Sequence, residues 1–157
     1  MVLRVTAVCS GNICRSPIAE VVLRDAVQRA GLGHAVLVDS AGIGAWHLGQ
    51  GADRRAVQVL ARHGYDGSRH EVRQVTRDWI DADDAPDLFL ALDASHLRDL
   101  RRMAPESDVR LLRSFDPDAD SPEVDDPYYG SLADFERVLA EVESAAPGLV
   151  AHLRTLL

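Results

Sequence analysis

Residues 8–17, Val-Cys-Ser-Gly-Asn-Ile-Cys-Arg-Ser-Pro, place a cysteine and an arginine in a short loop between a hydrophobic run and a helix start. Residues 2–8 are mostly aliphatic or β-branched and contain no turn residue, so they are predicted to form a buried strand. Ser16, near the cap, and Pro17, in the first turn, indicate a helix N-terminus directly after the loop. Backbone N–H groups of such a loop can surround a tetrahedral oxyanion, and the helix N-terminus adds its positive end. The stretch therefore predicts a strand–loop–helix unit with an anion site at its centre.

The residue types within this loop suit phosphoryl transfer. Cys9 lies where positive surroundings favour a thiolate, and it is predicted to attack phosphorus as the nucleophile. Arg15 supplies a planar fork that pairs with two phosphate oxygens and stabilises the charge that spreads over them in the transition state. Gly11 and Asn12 are the residues best able to adopt the left-handed backbone that turns the amides inward. The Ser16 hydroxyl is predicted to donate to the Cys9 sulfur.

Length and composition limit the alternatives. The chain has 157 residues, enough for one core, so one domain over residues 1–157 is expected. Its 46% hydrophobic and 27% charged residues are typical of a globular chain. Neither a signal peptide nor an apolar run of ~20 residues is visible, so a cytoplasmic protein without a membrane partner is expected. The net charge of −8 argues against binding to nucleic acid.

Strand and helix patterns alternate along the rest of the chain, which predicts an α/β fold. Further strands are expected over residues 35–38, 88–92 and 109–112. Helices are expected over residues 17–30, 53–63, 77–80, 95–103 and 131–156. Pro147 and Gly148 are expected to kink or split the last helix. The core candidates of that helix are Phe135, Val138, Leu139, Val142, Leu149 and Leu153.

Three separated motifs resemble those of the low-molecular-weight protein tyrosine phosphatases. The loop from Cys9 to Pro17 is similar to the family's signature loop, Asp-Pro-Tyr-Tyr-Gly at 126–130 resembles its general-acid loop, and Asp-Ser-Ala-Gly at 39–42 matches its Ser-Ala-Gly segment. The motifs follow the family's order over nearly the whole chain. The resemblance implies a single-domain, three-layer α/β/α fold with a four-stranded parallel sheet, Rossmann-like and of the phosphotyrosine phosphatase I-like type. It also implies hydrolysis of phosphotyrosine through a cysteinyl-phosphate, with neither metal nor cofactor.

Residues 114–129, dense in Asp and Pro, follow the last predicted strand and can fold over the sheet edge that carries the loop. Most acids of this segment are expected to be solvated. Asp126 differs because Pro127 restricts its backbone to extended conformations, and two tyrosines follow. A leaving phenolate has a conjugate-acid pKa near ~10, so its protonation lowers the barrier considerably. Asp126 is therefore predicted to be the proton donor; Asp125 is its rival, which the resemblance disfavours.

Other residues are expected around the loop. Trp46, Tyr128 and Tyr129 would wall a pocket for an aromatic substrate, although each could instead be a packing surface. From the resemblance, Ser40 is expected to hold the loop asparagine by a hydrogen bond, and Asp93 to support the loop structurally. The predicted substrate-binding residues are Ser10, Gly11, Asn12, Ile13, Cys14, Ser16, Trp46, Tyr128 and Tyr129.

Two residues have open roles at this point. Cys14 could pair reversibly with Cys9 and protect the thiolate from oxidation to sulfinic acid, or it could be a small buried residue. His47 adjoins Trp46 and could touch substrate, but a surface histidine is the more common case.

Rival functions share parts of the pattern. Thioredoxin-coupled arsenate reductases resemble the fold and loop but need additional cysteines, and this chain has only Cys14 besides the nucleophile. Protein-arginine phosphatases carry threonine where this chain has Ile13, whose apolar side chain suits a phenyl ring better than a guanidinium. A non-catalytic phosphotyrosine-binding module would have lost Cys9, Arg15 or Asp126, and all are present. Six histidines without ligand spacing do not favour a metal site.

A tyrosine phosphatase is therefore expected. It is expected to be a monomer, to act on phosphotyrosine-containing signalling proteins, and to be inhibited by phosphate or other oxyanions.

Overall fold

The computed structural model describes residues 1–157 and shows a four-stranded parallel sheet with the strand order β2-β1-β3-β4. The predicted α/β fold with four parallel strands is confirmed. The elements are, in chain order, β1 (Leu3–Cys9), α1 (Arg15–Arg29), β2 (Val36–Gly42), α2 (Arg54–Arg62), α3 (Arg77–Ile80), β3 (Leu88–Ala91), α4 (Ala94–Met103), β4 (Asp108–Leu111), a 3₁₀ turn (Leu112–Phe115) and α5 (Leu132–Leu156).

Helices cover both faces of the sheet, and the side chains of each strand alternate between two cores. Val5, Ala7 and Cys9 of β1 belong to the larger core, which also contains side chains of α1, α2 and α5. Val8 belongs to the smaller core, to which α4 contributes Leu100. Because both faces are buried, the central strands are apolar along their whole length. Cys9 therefore leaves β1 on the side of α1.

The topology brings the ends of β1 and β3 to one crevice. From β1 the chain passes through α1 to β2 on one side, and it later returns to β3 on the other side of β1. Such a reversal of strand order opens a crevice beyond the carboxyl ends of the strands. Cys9 is the last residue of β1, and Asp93 follows β3 as the N-cap of α4. Two of the predicted site residues thus lie at the same edge.

The strand β2 is longer than predicted. It extends to Gly42, whereas the sequence pattern indicated residues 35–38. Asp39, Ser40 and Gly42 are poor strand formers, so local propensity ends at Val38. Pairing with β1 overrides that propensity, because the parallel register continues as far as the partners Cys9 and Gly42.

The predicted split of the last helix is wrong, since α5 is continuous from Leu132 to Leu156 with Pro147 inside it, whereas the alternative, a kink at Pro147, stays a prediction. Its apolar stripe continues on both sides of Pro147, and all six predicted core residues are buried. Burial of this stripe outweighs the local cost of the proline. Gly148 lies against the 3₁₀ turn, where an added Cβ would overlap the Phe115 carbonyl oxygen. None of the helices has both the length and the apolar character needed to cross a membrane.

Replacement of Gly148 by alanine is expected to lower the free energy of unfolding by about 1–3 kcal/mol, because α5 must move away from the Phe115 carbonyl. Ser144→Ala, at an exposed position of the same helix, is expected to stay within about 0.5 kcal/mol of the wild type. Urea unfolding measures both variants. Equal stability of Gly148→Ala and Ser144→Ala would contradict the close approach of α5 and the turn.

Candidate active site

The conformation of the loop between β1 and α1 depends on one residue with a strained backbone. Asn12 has a φ of 58°, the only positive φ at a non-glycine position. Gly11, for which a left-handed backbone was also predicted, does not adopt one. Gly11 instead matters because it has no Cβ: a Cβ at this position would lie 3.2 Å from the His47 ring. The prediction was therefore right for Asn12 and wrong for Gly11.

Every polar group of the Asn12 side chain is used to hold this conformation. Its Nδ2 donates to Ser16 Oγ at 2.8 Å and to Ser40 Oγ at 3.0 Å, and its Oδ1 accepts from the Arg73 backbone N–H at 3.1 Å. The Asn12 carbonyl oxygen lies 2.8 Å from His70 Nε2. Ser40 thus makes the contact expected from the family resemblance. Arg73 and His70 were not predicted, since nothing near them in sequence points to the loop.

Cys9 lies at the bottom of the loop, buried, with its Sγ 2.9 Å from Ser16 Oγ. Asn12 already donates to Ser16 Oγ, so the Ser16 hydroxyl hydrogen is free to point at the sulfur. Ser16 was expected near the helix cap, but Cys14 is the N-cap of α1 and makes no side-chain capping bond. The Ser16 side chain serves the loop instead of the helix end.

Arg15 brings a buried positive charge to the same place. It is 3% exposed, and its Nη1 donates to Asp93 Oδ2 at 2.8 Å and to the Val124 carbonyl at 2.9 Å. Its Nη2 lies 3.9 Å from Asp126 Oδ2. One edge of the guanidinium is therefore anchored by the β3–α4 connection and by the segment before Asp126.

The surroundings of Asp93 favour its ionised carboxylate. Its Oδ1 accepts from the backbone N–H of Ser95 at 2.9 Å, from the Ser95 hydroxyl at 2.6 Å and from the His96 N–H at 3.1 Å. Burial alone would raise the pKa of Asp93, but the bonds from Ser95 and Arg15 and the nearby His96 outweigh it and lower that pKa to about 2. Arg15 thus has a permanent counter-ion.

His96 is a site residue that the sequence analysis missed. It is 1% exposed, with Nε2 2.9 Å from Ser10 Oγ and Nδ1 accepting the Asp93 backbone N–H at 3.2 Å. Because Nδ1 is an acceptor, the neutral ring carries its hydrogen on Nε2 and donates to Ser10. Burial lowers the pKa of His96 to about 4, against the opposing attraction of Asp93. The capping-box spacing of Asp93 and His96 is the signal that could have found it.

Above the loop lies a cavity of about 390 Å³. Its walls come from the loop, from residues 46 and 47 after β2, and from the segment around Asp126. Asn12 and Ser16, also predicted to bind substrate, are fully buried and do not line this cavity, whereas all the other predicted binding residues do. The lining residues are Cys9, Ser10, Gly11, Ile13, Cys14, Arg15, Trp46, His47, Asp126, Tyr128 and Tyr129.

The Asp126 segment forms the outer wall of the cavity. The Asp126 side chain is 52% exposed, and its Oδ1 accepts the Tyr128 backbone N–H at 3.1 Å. Asp125 is exposed and does not line the cavity, so the geometry favours Asp126 of the two rivals. The rings of Tyr128 and Tyr129 pack edge to face with their centroids 4.9 Å apart, and the Trp46 ring, which also lines the cavity, lies against Gly44. His47, for which a surface position was favoured, also lines the wall.

A cavity that offers an anion one buried guanidinium, and offers the attached group a wall of aromatic rings, fits a phosphate monoester. The fold and the site together thus define a phosphatase. Comparison with known proteins gives the family: the family model described as low molecular weight phosphotyrosine protein phosphatase matches residues 4–156. The chain belongs to this family.

Matches to individual proteins support this family assignment. A low molecular weight protein-tyrosine-phosphatase of Streptomyces coelicolor is 54% identical over 160 residues, covering 98% of this chain and 95% of that protein. The low molecular weight protein-tyrosine phosphatase A of Mycobacterium tuberculosis is 50% identical over 150 residues, covering 94% of this chain and 89% of that protein. A solved protein tyrosine phosphatase from Entamoeba histolytica matches with a TM-score of 0.91 at 32% identity, covering 98% and 97% of the two chains. A Drosophila arginine phosphatase matches with a TM-score of 0.86 at 28% identity, covering 97% and 98%.

Acidification from pH 6.5 to 4 is expected to destabilise the protein by up to about 3 kcal/mol through His96, whose pKa is about 4 when folded and 6.5 in the unfolded chain. In this window His96 binds a proton in the unfolded chain but not in the folded protein, so the free energy of unfolding decreases as the pH is lowered. Asp93, with a folded pKa of about 2 and an ordinary value of 3.8, loses its contribution only below pH 4.

Denaturant unfolding at pH 7, 5.5 and 4.5 measures this effect. His96→Gln is expected to flatten the pH dependence, whereas His34→Gln, at an exposed position, is expected to leave it as in the wild type. A wild-type slope unchanged in His96→Gln would contradict the assignment.

Proposed function

We propose that this phosphatase hydrolyses phosphotyrosine and other aryl phosphates through a cysteinyl-phosphate, without a metal ion or cofactor. The observation that carries the proposal is the convergence of the Cys9 sulfur, the Arg15 guanidinium and the Asp126 carboxyl on one cavity. Ser16 supports the sulfur at 2.9 Å, and Arg15 Nη2 lies 3.9 Å from Asp126.

In the first step, the Cys9 thiolate attacks phosphorus and the bond from phosphorus to the phenolic oxygen breaks. Arg15 and the loop amides bind the equatorial oxygens as their charge is redistributed. Protonated Asp126 gives its proton to the departing phenolate, so a neutral phenol leaves. The products are the phenol and a phosphate covalently bound to the Cys9 sulfur.

In the second step, water attacks the phosphorus of the cysteinyl-phosphate. The Asp126 carboxylate now takes a proton from this water, and the phosphorus–sulfur bond breaks. The sulfur leaves as a thiolate, which the Ser16 hydroxyl stabilises by donating to it. Inorganic phosphate is released, and Asp126 is protonated again for the next cycle.

The walls of the cavity favour an aryl ester of a phosphoprotein. Ile13, Trp46, Tyr128 and Tyr129 surround the place where the group attached to phosphate would lie. The similarity to the Drosophila arginine phosphatase makes phosphoarginine the second candidate substrate. Ile13 gives the donors of a guanidinium no acceptor, which disfavours that substrate.

We further propose that the enzyme acts as a monomer, with one domain over residues 1–157, and that phosphate or other oxyanions compete with substrate at the loop.

Turnover of a phosphotyrosine peptide is expected to persist in EDTA and to be abolished in Cys9→Ser. Asp126→Asn is expected to lower kcat/KM by about 10²–10³-fold, since general acid catalysis contributes effects of this size. The matched control is Asp125→Asn, an exposed neighbour, which is expected to retain activity within about twofold.

A phosphoarginine peptide and arsenate are assayed alongside. Faster turnover of phosphoarginine would contradict the aryl preference and leave the covalent mechanism intact, and reduction of arsenate would point to the reductases of the same fold. Loss of activity in EDTA would overturn metal independence. Phosphopeptide binding without any turnover would make the protein a binding module.

We also propose that Cys14 protects the nucleophile by reversible disulfide formation. Both cysteines are buried and free, and burial, followed by the charges of Asp53 and Cys9, raises the pKa of Cys14 far above its usual range. Cys14 therefore stays a thiol until a peroxide converts the Cys9 thiolate to a sulfenic acid. Condensation of this acid with the Cys14 thiol releases water and forms the disulfide.

After limited treatment with hydrogen peroxide, wild-type activity is expected to return with a dithiol reductant, whereas Cys14→Ser is expected to stay inactive. Intact-protein mass spectrometry distinguishes the loss of two hydrogens, the disulfide, from the gain of two oxygens, the sulfinic acid. Full recovery of Cys14→Ser would assign Cys14 to packing alone.

A further inference from the structure

Arg55, in the first turn of α2, joins two segments that the mechanism uses separately. Its Nε lies 3.0 Å from Asp53 Oδ1 and its Nη2 lies 3.0 Å from Asp53 Oδ2, so the two side chains form a bidentate pair. The same guanidinium donates to the Tyr128 carbonyl at 2.8 Å and to the Gly130 carbonyl at 3.0 Å. One planar group thus connects the start of α2 to the segment that follows Asp126.

Aromatic rings keep this guanidinium in place. Its central carbon lies 4.5 Å from the centroid of the Phe135 ring, which is fully buried in α5. It also lies 5.8 Å from the centroid of the Tyr128 ring. Contacts of this kind restrict the rotation of a long side chain and favour one orientation of its donors.

Tyr128 transmits the position of Arg55 to the proposed proton donor. The Tyr128 carbonyl accepts from Arg55, and the Tyr128 N–H donates to Asp126 Oδ1 at 3.1 Å. With Oδ1 held in this way, Oδ2 is the oxygen that faces Arg15 and the cavity. A shift of the Tyr128 backbone would therefore rotate the carboxyl away from the leaving group.

The Asp53 end of the same pair is tied to the phosphate loop. The Asp53 backbone N–H donates to the Ile13 carbonyl at 2.8 Å, and the Asp53 side chain accepts the Arg55 N–H to cap α2. Asp53 and Arg55 thus connect the phosphate loop to the segment that contains Asp126 and fix their relative positions.

We propose that Arg55 is a positioning residue for proton donation: with Asp53 it forms a brace that aligns the Asp126 carboxyl with the phosphate loop. This inference rests on the proposed function, since it assigns Arg55 a part in the step that Asp126 performs. A residue that only stabilises the fold would affect all substrates equally. A residue that aligns the acid affects substrates according to how much their leaving group needs a proton.

The test compares two esters that differ in this need. Phenol has a pKa near ~10 and leaves poorly without protonation, whereas 2,4-dinitrophenol leaves as a stable anion. In Arg55→Gln, kcat/KM is expected to fall by about tenfold for phenyl phosphate and by less than about twofold for 2,4-dinitrophenyl phosphate. In an Asp126→Asn background, Arg55→Gln is expected to cause no further selective loss, because the group it positions is gone.

Controls separate this role from misfolding. Arg54→Gln removes the neighbouring exposed arginine and is expected to leave both esters unaffected. Arg55→Lys keeps the charge but not the fork, so an intermediate selective loss is expected. The inhibition constant of inorganic phosphate is expected to stay within about twofold in all variants, which shows an intact phosphate loop. An equal fall for both esters, or no fall for either, would overturn the proposal.

Hydrogen exchange gives a readout that needs no turnover. Amides of residues 124–131 are expected to exchange faster in Arg55→Gln than in the wild type and in Arg54→Gln, because Tyr128 loses its anchor. If the wild type hydrolysed no ester at all, the proposed function would fail. The exchange result would then still decide whether the brace exists, and unchanged exchange would reject it.

Discussion

The left-handed backbone of Asn12 is the constraint on which the rest of the site depends. A non-glycine residue in this conformation costs on the order of 1–3 kcal/mol and persists only when its surroundings enforce it. Ser16 in α1, Ser40 in β2 and the Arg73 backbone N–H hold its side chain, and His70 contacts its backbone carbonyl. This requirement explains the long β2: the strand must continue past Val38 to bring Ser40 under the loop.

The two aspartates beside Arg15 show how surroundings divide roles between identical side chains. Asp93 is half-buried within a capping box and accepts several hydrogen bonds, so its pKa lies near 2 and it remains the counter-ion of Arg15. Asp126 is half-exposed, and its own segment supplies the Tyr128 N–H as the hydrogen-bond donor. Because the chain carries a net charge of −8, the proposed attraction of phosphate would depend on Arg15 and on the α1 N-terminus, not on the overall electrostatic field.

Local patterns predicted whatever depends on neighbours in sequence. The loop between β1 and α1, the alternation of elements and the buried stripe of α5 follow from such patterns and agree with the structure. Contacts between distant segments were missed, such as His70 on Asn12, 58 positions away, and Arg55 on Tyr128, 73 positions away. Propensity also failed where tertiary burial opposed it, as at Pro147, because a local rule cannot weigh packing elsewhere.

Both ends of the Asp126 segment are attached to arginines. Arg15 donates to the Val124 carbonyl before Asp126, and Arg55 donates to the Tyr128 carbonyl after it. The backbone is thus held at two points while the Asp126 side chain between them stays 52% exposed. This combination suits a group that must donate a proton in one step and take one from water in the next. A fully buried carboxyl would exchange protons with water poorly, whereas one on a free loop would lack a defined position relative to phosphorus. Two carbonyl–arginine contacts satisfy both demands of the role proposed for Asp126, which is acid in the first step and base in the second.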